Sequence, residues 1–386
     1  MIILQDSQIK KILHNGDEVK KILDWDGNVI FYKQSGGGGM TNDIKFTTSP
    51  SVASANVFTV TYTDSTQDTV SYSEPSKEYS LSIPTDKVVT KIDFDNTMVD
   101  EVKVSCKINL SKTFFTNKPK TIRLISCDST SSTNFKYLFS GVTNIETIEM
   151  KNSDFSNVTD MYGMFDECSV TTIGIANCNT SNVTDMCWMF YGCSNLTSLD
   201  LSYFNTSNVT DMSYMFSFCR AITSLDLNNF DTSNVTIMSY MFFYCSNITS
   251  LDLTNFNTSN VTHMSDMFDT CENLTSLDLS HFNTSNVINM EWMFSSCSVL
   301  ASLDLSNFNT SNVTSMYGMF SYCYGLTSLD LSGWDMTNVT NMSNMFYSCN
   351  NLKTIKMIGC NQTTIDKIKS ALTEAGILNN VTIITE

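Results

Sequence analysis

Basic residues are scarce in this 386-residue chain. Its 22 Lys and Arg stand against 39 Asp and Glu, a formal net charge of −17. The imbalance is concentrated in residues 176–352, where fourteen acidic side chains accompany a single base, Arg220. A nucleic-acid groove needs the opposite balance, because phosphate contacts supply most of its affinity, so no nucleic-acid partner is expected. Histidine is scarcer still: His14 lies in a hairpin-turn sequence, and His263 and His281 occupy variable positions. No Gly-x-Ser-x-Gly, phosphate loop, His pair of metal-binding spacing or Cys-x₂-Cys accompanies them. Abundant Ser and Asp therefore lack the base that a triad requires. The chain reads as non-enzymatic, with no catalytic and no metal-ligating residue assigned. No run approaches the 18 apolar residues of a membrane span, so no membrane insertion is expected. The opening "MIILQDSQIKKILHNG" lacks a basic start followed by a long apolar stretch, and no wall-anchoring motif closes the chain. No export signal is expected on those grounds.

Repetition is what the chain has in abundance. Cys193, Cys219, Cys245, Cys271, Cys297, Cys323 and Cys349 are 26 residues apart, and Cys168 precedes them by 25. The Met-Phe pairs keep the same beat, from Met164-Phe165 to Met345-Phe346. Apolar-x-apolar triplets from Ile122-Arg123-Leu124 to Ile355-Lys356-Met357 mark ten coils. Within a unit, Leu196, Leu199 and Leu201 suit a short strand with one buried face. Val209, Met212, Met215, Phe216 and Cys219 follow at spacings of three and four, the apolar face of a short helix, with Ser207 or Asn208 as its N-cap. One such strand and helix cannot bury their own apolar faces, whereas stacked copies can. The cysteine column is expected inside that stack as reduced, apolar filler. Parallel side chains about 4.8 Å apart suit disulfides badly.

The motif "LTSLDLSxFNTSNVTxMSxMFxxC" resembles the BspA-like leucine-rich repeat of bacterial surface proteins. The resemblance covers about 121–386, including the tail "NQTTIDKIKSALTEAGILNNVTIITE", which is similar to that family's closing helix and strand. It implies an α/β solenoid of about ten coils and an adhesive or recognition role, without naming a target.

The front of the chain differs. "QIKKILHNGDEVKKILDWDGNVIFYK" places Asn15-Gly16 and Asp26-Gly27 between β-prone runs, the signature of a three-stranded meander. Three short strands are marginal alone, so docking on a larger body or self-association into a homo-oligomer is expected. The segment is similar to N-terminal attachment pieces of phage virion proteins, which implies a parent virion protein as partner through residues 1–33. A Gly-rich linker follows. From residue 41, "NVFTVTYTD", "DTVSYSE" and "EYSLSIP" alternate apolar with polar, as in a small sandwich-like domain placed to cover the solenoid's open end. The expected organisation is a docking meander at 1–34, a linker at 35–40, an all-β domain at 41–119, repeats at 120–360 and a helix-strand cap at 361–386.

Two repeat surfaces carry candidate binding residues. On the strand face, Asp200, Asp226, Asp252, Asp278, Asp304 and Asp330 form a stripe, with Ser198, Ser224, Ser250, Ser276, Ser302 and Ser328 beside it. The stripe suits calcium, a polyol or a basic partner, and equally a solvated face multiplied by duplication. Mutual repulsion is expected to raise these carboxyl pKa values. On the variable face stand Trp188, Tyr214, Tyr240, Tyr244, Trp292, Tyr317 and Tyr322, with Tyr191, Phe218 and others nearby. They suit sugar or protein contact, with inter-coil packing competing for the same rings. Together these features favour a phage virion appendage, a tail or head fibre that presents the solenoid to a bacterial surface protein or glycan. Its expected location is the virion. A bacterial cell-surface adhesin and an intracellular protein-binding scaffold are the alternatives.

Overall fold

The computed structural model describes residues 11–15, 18–23, 29–32, 42–48, 56–94, 99–106, 108, 115–116, 121–127, 132–143 and 145–386. The chain divides into two compact units, Met1–Thr41 and Asn42–Glu386. In the first, β1 (Lys11–Asn15), β2 (Glu18–Leu23) and β3 (Val29–Tyr32) form an antiparallel sheet in sequence order, with Asn15 opposite Glu18. His14 lies within β1 rather than in the turn. The Asp26-Gly27 turn and the Gly-rich linker lie outside the described residues.

The second unit begins with six strands: β4 (Asp43–Thr48), β5 (Asn56–Tyr62), β6 (Gln67–Tyr72), β7 (Glu78–Ser82), β8 (Val89–Phe94) and β9 (Val99–Ser105). With β10 (Phe115–Thr116) they form two sheets, β10-β8-β5-β6 and one containing β9-β4-β7. Phe46 lies 4.7 Å from Phe58 and 5.2 Å from Tyr72, ring to ring, in the core of this region. The second sheet does not stop there. β11 (Thr121–Ile125) pairs in parallel with β9, Ile122 opposite Val102. β12 (Thr147–Lys151), β13 (Thr172–Ala176) and β14 (Ser198–Asp200) continue it. The N-terminal strands thus occupy the edge that the first coil would otherwise leave unpaired.

The coils repeat as expected, but their turn side is not helical. N–H groups on this side reach the next coil at alternate residues: Met212 to Ile237 O, Tyr214 to Ser239 O, Phe216 to Met241 O and Phe218 to Phe243 O. Between them, Met215, Ser217 and Cys219 donate to Met212, Tyr214 and Phe216, three residues back. These are tandem turns. Tyr214 (φ 57°) and Phe218 (φ 60°) hold the positive φ that a type II turn demands at its third residue. A left-handed residue every four positions breaks any α-helix. The apolar spacing still buries its residues: Val209, Met212, Met215, Phe216 and Cys219 are fully buried. Spacings of three and four serve tandem turns as well as a helix. Among the described residues the one α-helix is α1 (Gln362–Glu374), outside the coils.

Three columns hold the stack together. Phe139, Phe165, Phe190, Phe216, Phe242, Phe268, Phe294, Phe320 and Phe346 stack with centroids 5.4–5.9 Å apart, a tightly packed apolar axis. Buried threonines link coils through both hydroxyl functions: Thr258 Oγ1 donates to Asn283 O (3.0 Å) and accepts from Asn283 N (2.8 Å). The cysteine column is unbridged and buried, and its thiols donate to the carbonyl of a Phe in the preceding coil, as Cys219 does to Phe190 O at 3.1 Å. Burial pushes these thiols up, to about 12 at Cys245 and Cys349.

Strands β15 (Ser302–Asp304), β16 (Ser328–Asp330) and β17 (Thr354–Lys356) form the last coils' sheet, which β18 (Thr382–Ile384) closes in parallel. Asn361 Oδ1 caps α1 by accepting from Thr364 N at 2.8 Å. Lys367 Nζ donates to Met336 O and Val339 O, carbonyls that no further coil is present to receive.

Candidate functional site

Each clean coil turns its corners with side-chain-capped turns. Asn205 Oδ1 accepts from Ser207 N (3.0 Å), and Asp211 Oδ1 accepts from Ser213 N (2.8 Å). Ser207 and Asn208, expected as helix N-caps, instead serve these corners; Asn208 Nδ2 donates to Ser181 O of the coil before, at 2.7 Å. Two faces of the coil reach solvent between the corners.

The strand face carries the aspartate stripe. Asp200, Asp226, Asp252, Asp278 and Asp304 are exposed and Asp330 is half-buried, while Ser198, Ser224, Ser250, Ser276 and Ser302 are exposed and Ser328 is half-buried. All six carboxylates are structurally employed. Each accepts from the backbone N–H two residues on, at 2.9–3.1 Å: Ser202, Asn228, Thr254, Ser280, Ser306 and Ser332. This overturns the expectation of raised pKa values at three of them. The Thr254 hydroxyl and amide hold Asp252 below the usual carboxylate range, and the Ser280 amide and hydroxyl do the same for Asp278. Burial pushes Asp330 up, but Ser332 and Lys356 outweigh it and leave it lowered. Lys356 Nζ lies 3.0 Å from Asp330 Oδ2, beside a groove of about 290 Å³ over Leu303 and Leu329. Among the described residues no group of three or more His, Cys, Asp or Glu side chains is arranged to hold a metal ion.

The turn face carries the aromatics, on two left-handed columns. The first holds Trp188, Tyr214, Tyr240 and Trp292, at φ 54–61°. The second holds Phe218, Tyr244 and Tyr322, at φ 58–60°. Tyr214 stacks on Tyr240 (4.3 Å, 5°) and lies 4.9 Å from Trp188. Tyr244 stacks on Phe218 at 5.2 Å. Further along, Trp292 meets Tyr317 edge-on at 5.0 Å and Tyr322 meets Tyr347 at 5.2 Å. The structure thus brings the expected residues together as two ring clusters. Trp188, Tyr214, Tyr240, Tyr244, Trp292 and Tyr317 are half-buried, and Tyr322 is exposed. Rings in neighbouring coils pack against both sides of Tyr214 and of Phe218, and both remain partly exposed.

Between the clusters the columns change chemistry, a feature the sequence reading missed. Asp266 takes the first column at φ 56° and is only 7% exposed. Burial pushes its carboxyl up to about 7, opposed by the Tyr240 hydroxyl and reinforced by Asp269 and Glu291. Burial likewise pushes Asp269 up to about 6, opposed by Thr270 and Ser295. A break in the aromatic column was the available signal. Arg220, a lone base in the sequence of the coils, stands on the same face, with its guanidinium over the Tyr244 ring at 4.4 Å.

The family model described as "Mycoplasma protein of unknown function, DUF285" matches residues 90–174, 133–251, 165–277, 215–303, 238–358 and 275–381 in overlapping copies. No curated protein matches the chain. No helix among the described residues is long and apolar enough to cross a membrane.

Proposed function

The chain belongs to the DUF285 family, and from that premise we propose that it is a non-enzymatic recognition protein whose turn face is the binding surface. One observation carries this reading: aromatic side chains sit where the backbone favours glycine. An L-residue in the left-handed region costs roughly 1–3 kcal/mol, and such strain collects at functional positions. Gly163, Gly192 and Gly318 occupy equivalent places in other coils, so the fold accepts glycine there. Trp188, Tyr214, Phe218, Tyr240 and Tyr244 give up that ease and in exchange present rigid ring edges at a fixed pitch. Many weak contacts of this kind add through effective concentration.

Within that reading, the specific role is a phage virion appendage that docks through residues 1–33 and presents the solenoid to a bacterial surface protein or glycan. The small three-stranded antiparallel sheet β1–β3, near the lower size limit for stability alone, supports it. A cell-surface adhesin is the alternative that the repeat family favours. The aspartate stripe is proposed as a solvated structural face, since its carboxylates already serve the turns beside them.

The test uses fluorescent full-length chain on a panel of intact bacterial cells. Tyr214→Gly with Tyr240→Gly removes rings from positions whose backbone glycine adopts without strain. Retained folding with lost cell binding is expected. Undiminished binding would move the site off this face. For the virion role, an antibody against residues 205–349 should label purified virions, and deletion of 1–39 should abolish incorporation. Unlabelled virions beside labelled bacterial cells would favour the adhesin.

A further inference from the structure

We propose that the cleft at Gly192, lined by Tyr191, Phe218 and Arg220, is a binding site for a carboxylate-bearing saccharide. The proposal rests on the recognition reading and names a ligand class for one part of that face. The cleft measures about 390 Å³, and Gly192 is among its lining residues. Gly192 (φ 69°) occupies the same left-handed column as Phe218, Tyr244 and Tyr322. It contributes no side chain between Glu167 in the coil before and Phe218 in the coil after, and the gap is one coil wide.

The walls combine three kinds of chemistry. Tyr191 and Phe218 meet edge-on at 5.4 Å and offer apolar ring surface suited to the C–H face of a sugar. Ser169, Ser194 and the exposed Glu167 carboxylate supply hydroxyl-matching donors and acceptors. Arg220 is exposed, and its guanidinium is laid over Phe218 (5.4 Å) and Tyr244 (4.4 Å). Among the described residues the guanidinium makes no ion pair or hydrogen bond, so ring stacking orients it while its planar donors stay open. That fork matches a carboxylate in bidentate fashion.

Overall charge narrows the ligand further. A chain of net charge −17 repels polyanions, which disfavours nucleic acids and phosphate polymers. A single carboxylate carried on a neutral polyol uses the one local cation and offers its hydroxyls to the remaining groups.

The probe is an immobilised array of oligosaccharides ending in glucuronic, galacturonic or N-acetylneuraminic acid, each beside its methyl ester. The full chain should bind acid-terminated members and lose about tenfold or more on esterification, the usual scale for a charge-assisted bidentate contact. Arg220→Ala should abolish the acid preference without lowering the melting temperature. Arg220→Lys should not restore it, because an ammonium lacks the planar fork. Gly192→Tyr, a residue the same column carries at Tyr244 and Tyr322, should block binding by filling the gap. Equal binding of acids and esters, indifference to Arg220→Ala, or binding of no acidic saccharide would each overturn the assignment. Adhesion to the bacterial panel separates the two levels. Array failure with normal adhesion rejects this cleft and leaves the recognition reading standing. Wild-type chain that adheres to no cell removes the broader reading.

Discussion

The two sides of the central coils behave differently. On the turn side, backbone bridges run unbroken from Asn134 through Asp211, Ile237, His263 and Asn289 to Asn341. On the strand side, pairing is regular as far as β14 and resumes at β15, with no strand in the three coils between. There, among the described residues, inter-coil backbone bonding thins to contacts such as Thr275 N to Thr249 O at 3.1 Å. Sequence cannot explain this by apolar content, because Leu225, Leu251 and Leu277 repeat their neighbours. Charge contributes. Asp200 pairs with Gly174 on one side, and Asp330 pairs with Lys356. Asp226, Asp252 and Asp278 lie furthest from both, where like charges on adjacent strands repel. The effect is small, since Asp304 stays paired with Asp330 in a regular ladder and hydrogen bonds outweigh repulsion at Asp252 and Asp278. The turn side carries a buried ring column and reciprocal threonine bonds, so it keeps its register where the strand side loosens.

The largest test of this contrast is core deletion. Phe268→Ala removes one ring from the stacked column and should cost about 3–5 kcal/mol, whereas Leu251→Ala on the loosened side should fall near the lower end of the 2–5 kcal/mol range for such changes. Denaturant titration of both variants decides it. A greater loss from Leu251→Ala would show that the strand side carries the stack.

Next comes pH. Asp266 and Asp269 have folded pKa values of about 7 and about 6, above those of an unfolded carboxyl. The folded chain therefore binds more protons between about pH 4 and 7, and stability falls as pH rises through that window. The full stabilising effect is present below about pH 4, set against losses there from other carboxylates. A drop on the order of 2–4 kcal/mol is expected from the Asp266 shift. Asp266→Asn should reduce the slope between pH 5 and 7.5 and leave the part due to Asp269. A wild-type profile rising with pH across this window would contradict the burial argument.

The smallest effects belong to the stripe. The triple change Asp226→Asn, Asp252→Asn and Asp278→Asn keeps an acceptor for each turn amide and removes the repulsion. Amide exchange in residues 223–279 should slow toward that of 328–331, with little change in global stability. Asp252→Ala, which loses the bond to Thr254 N, should be less stable than Asp252→Asn. Because Asp252 and Asp278 are lowered, their contribution is present above an ordinary carboxylate pKa and disappears as pH falls below it. Unchanged exchange in the triple variant would leave the ladder's interruption unrelated to charge.

Much of the solenoid was legible because each column repeats one residue type. An apolar side chain at the same place in successive coils has one interior to share, and Val209, Met212, Phe216 and Cys219 are buried as their spacing implied. The aromatic face was legible as a set of variable rings, but not as two clusters parted by Asp266. The helix expectation failed for a definite reason. Residues at intervals of three and four line up on a helix and in tandem turns alike, and the two differ in the sign of φ at Tyr214 and Phe218. Gly163, Gly192 and Gly318 in those columns were the available clue, because glycine recurs where positive φ is easiest.

Sequence alone thus determined the period, the number of coils and the identity of the buried columns, since these follow from which side chains avoid water at a fixed repeat. Tertiary structure decided where the backbone amides found their partners. Each turn-side N–H can bond within its own coil or across to the next, and only the stacked neighbour makes the second choice available. That choice sets the left-handed positions, turns the aromatic edges outward and opens a cleft over Gly192 beside Arg220.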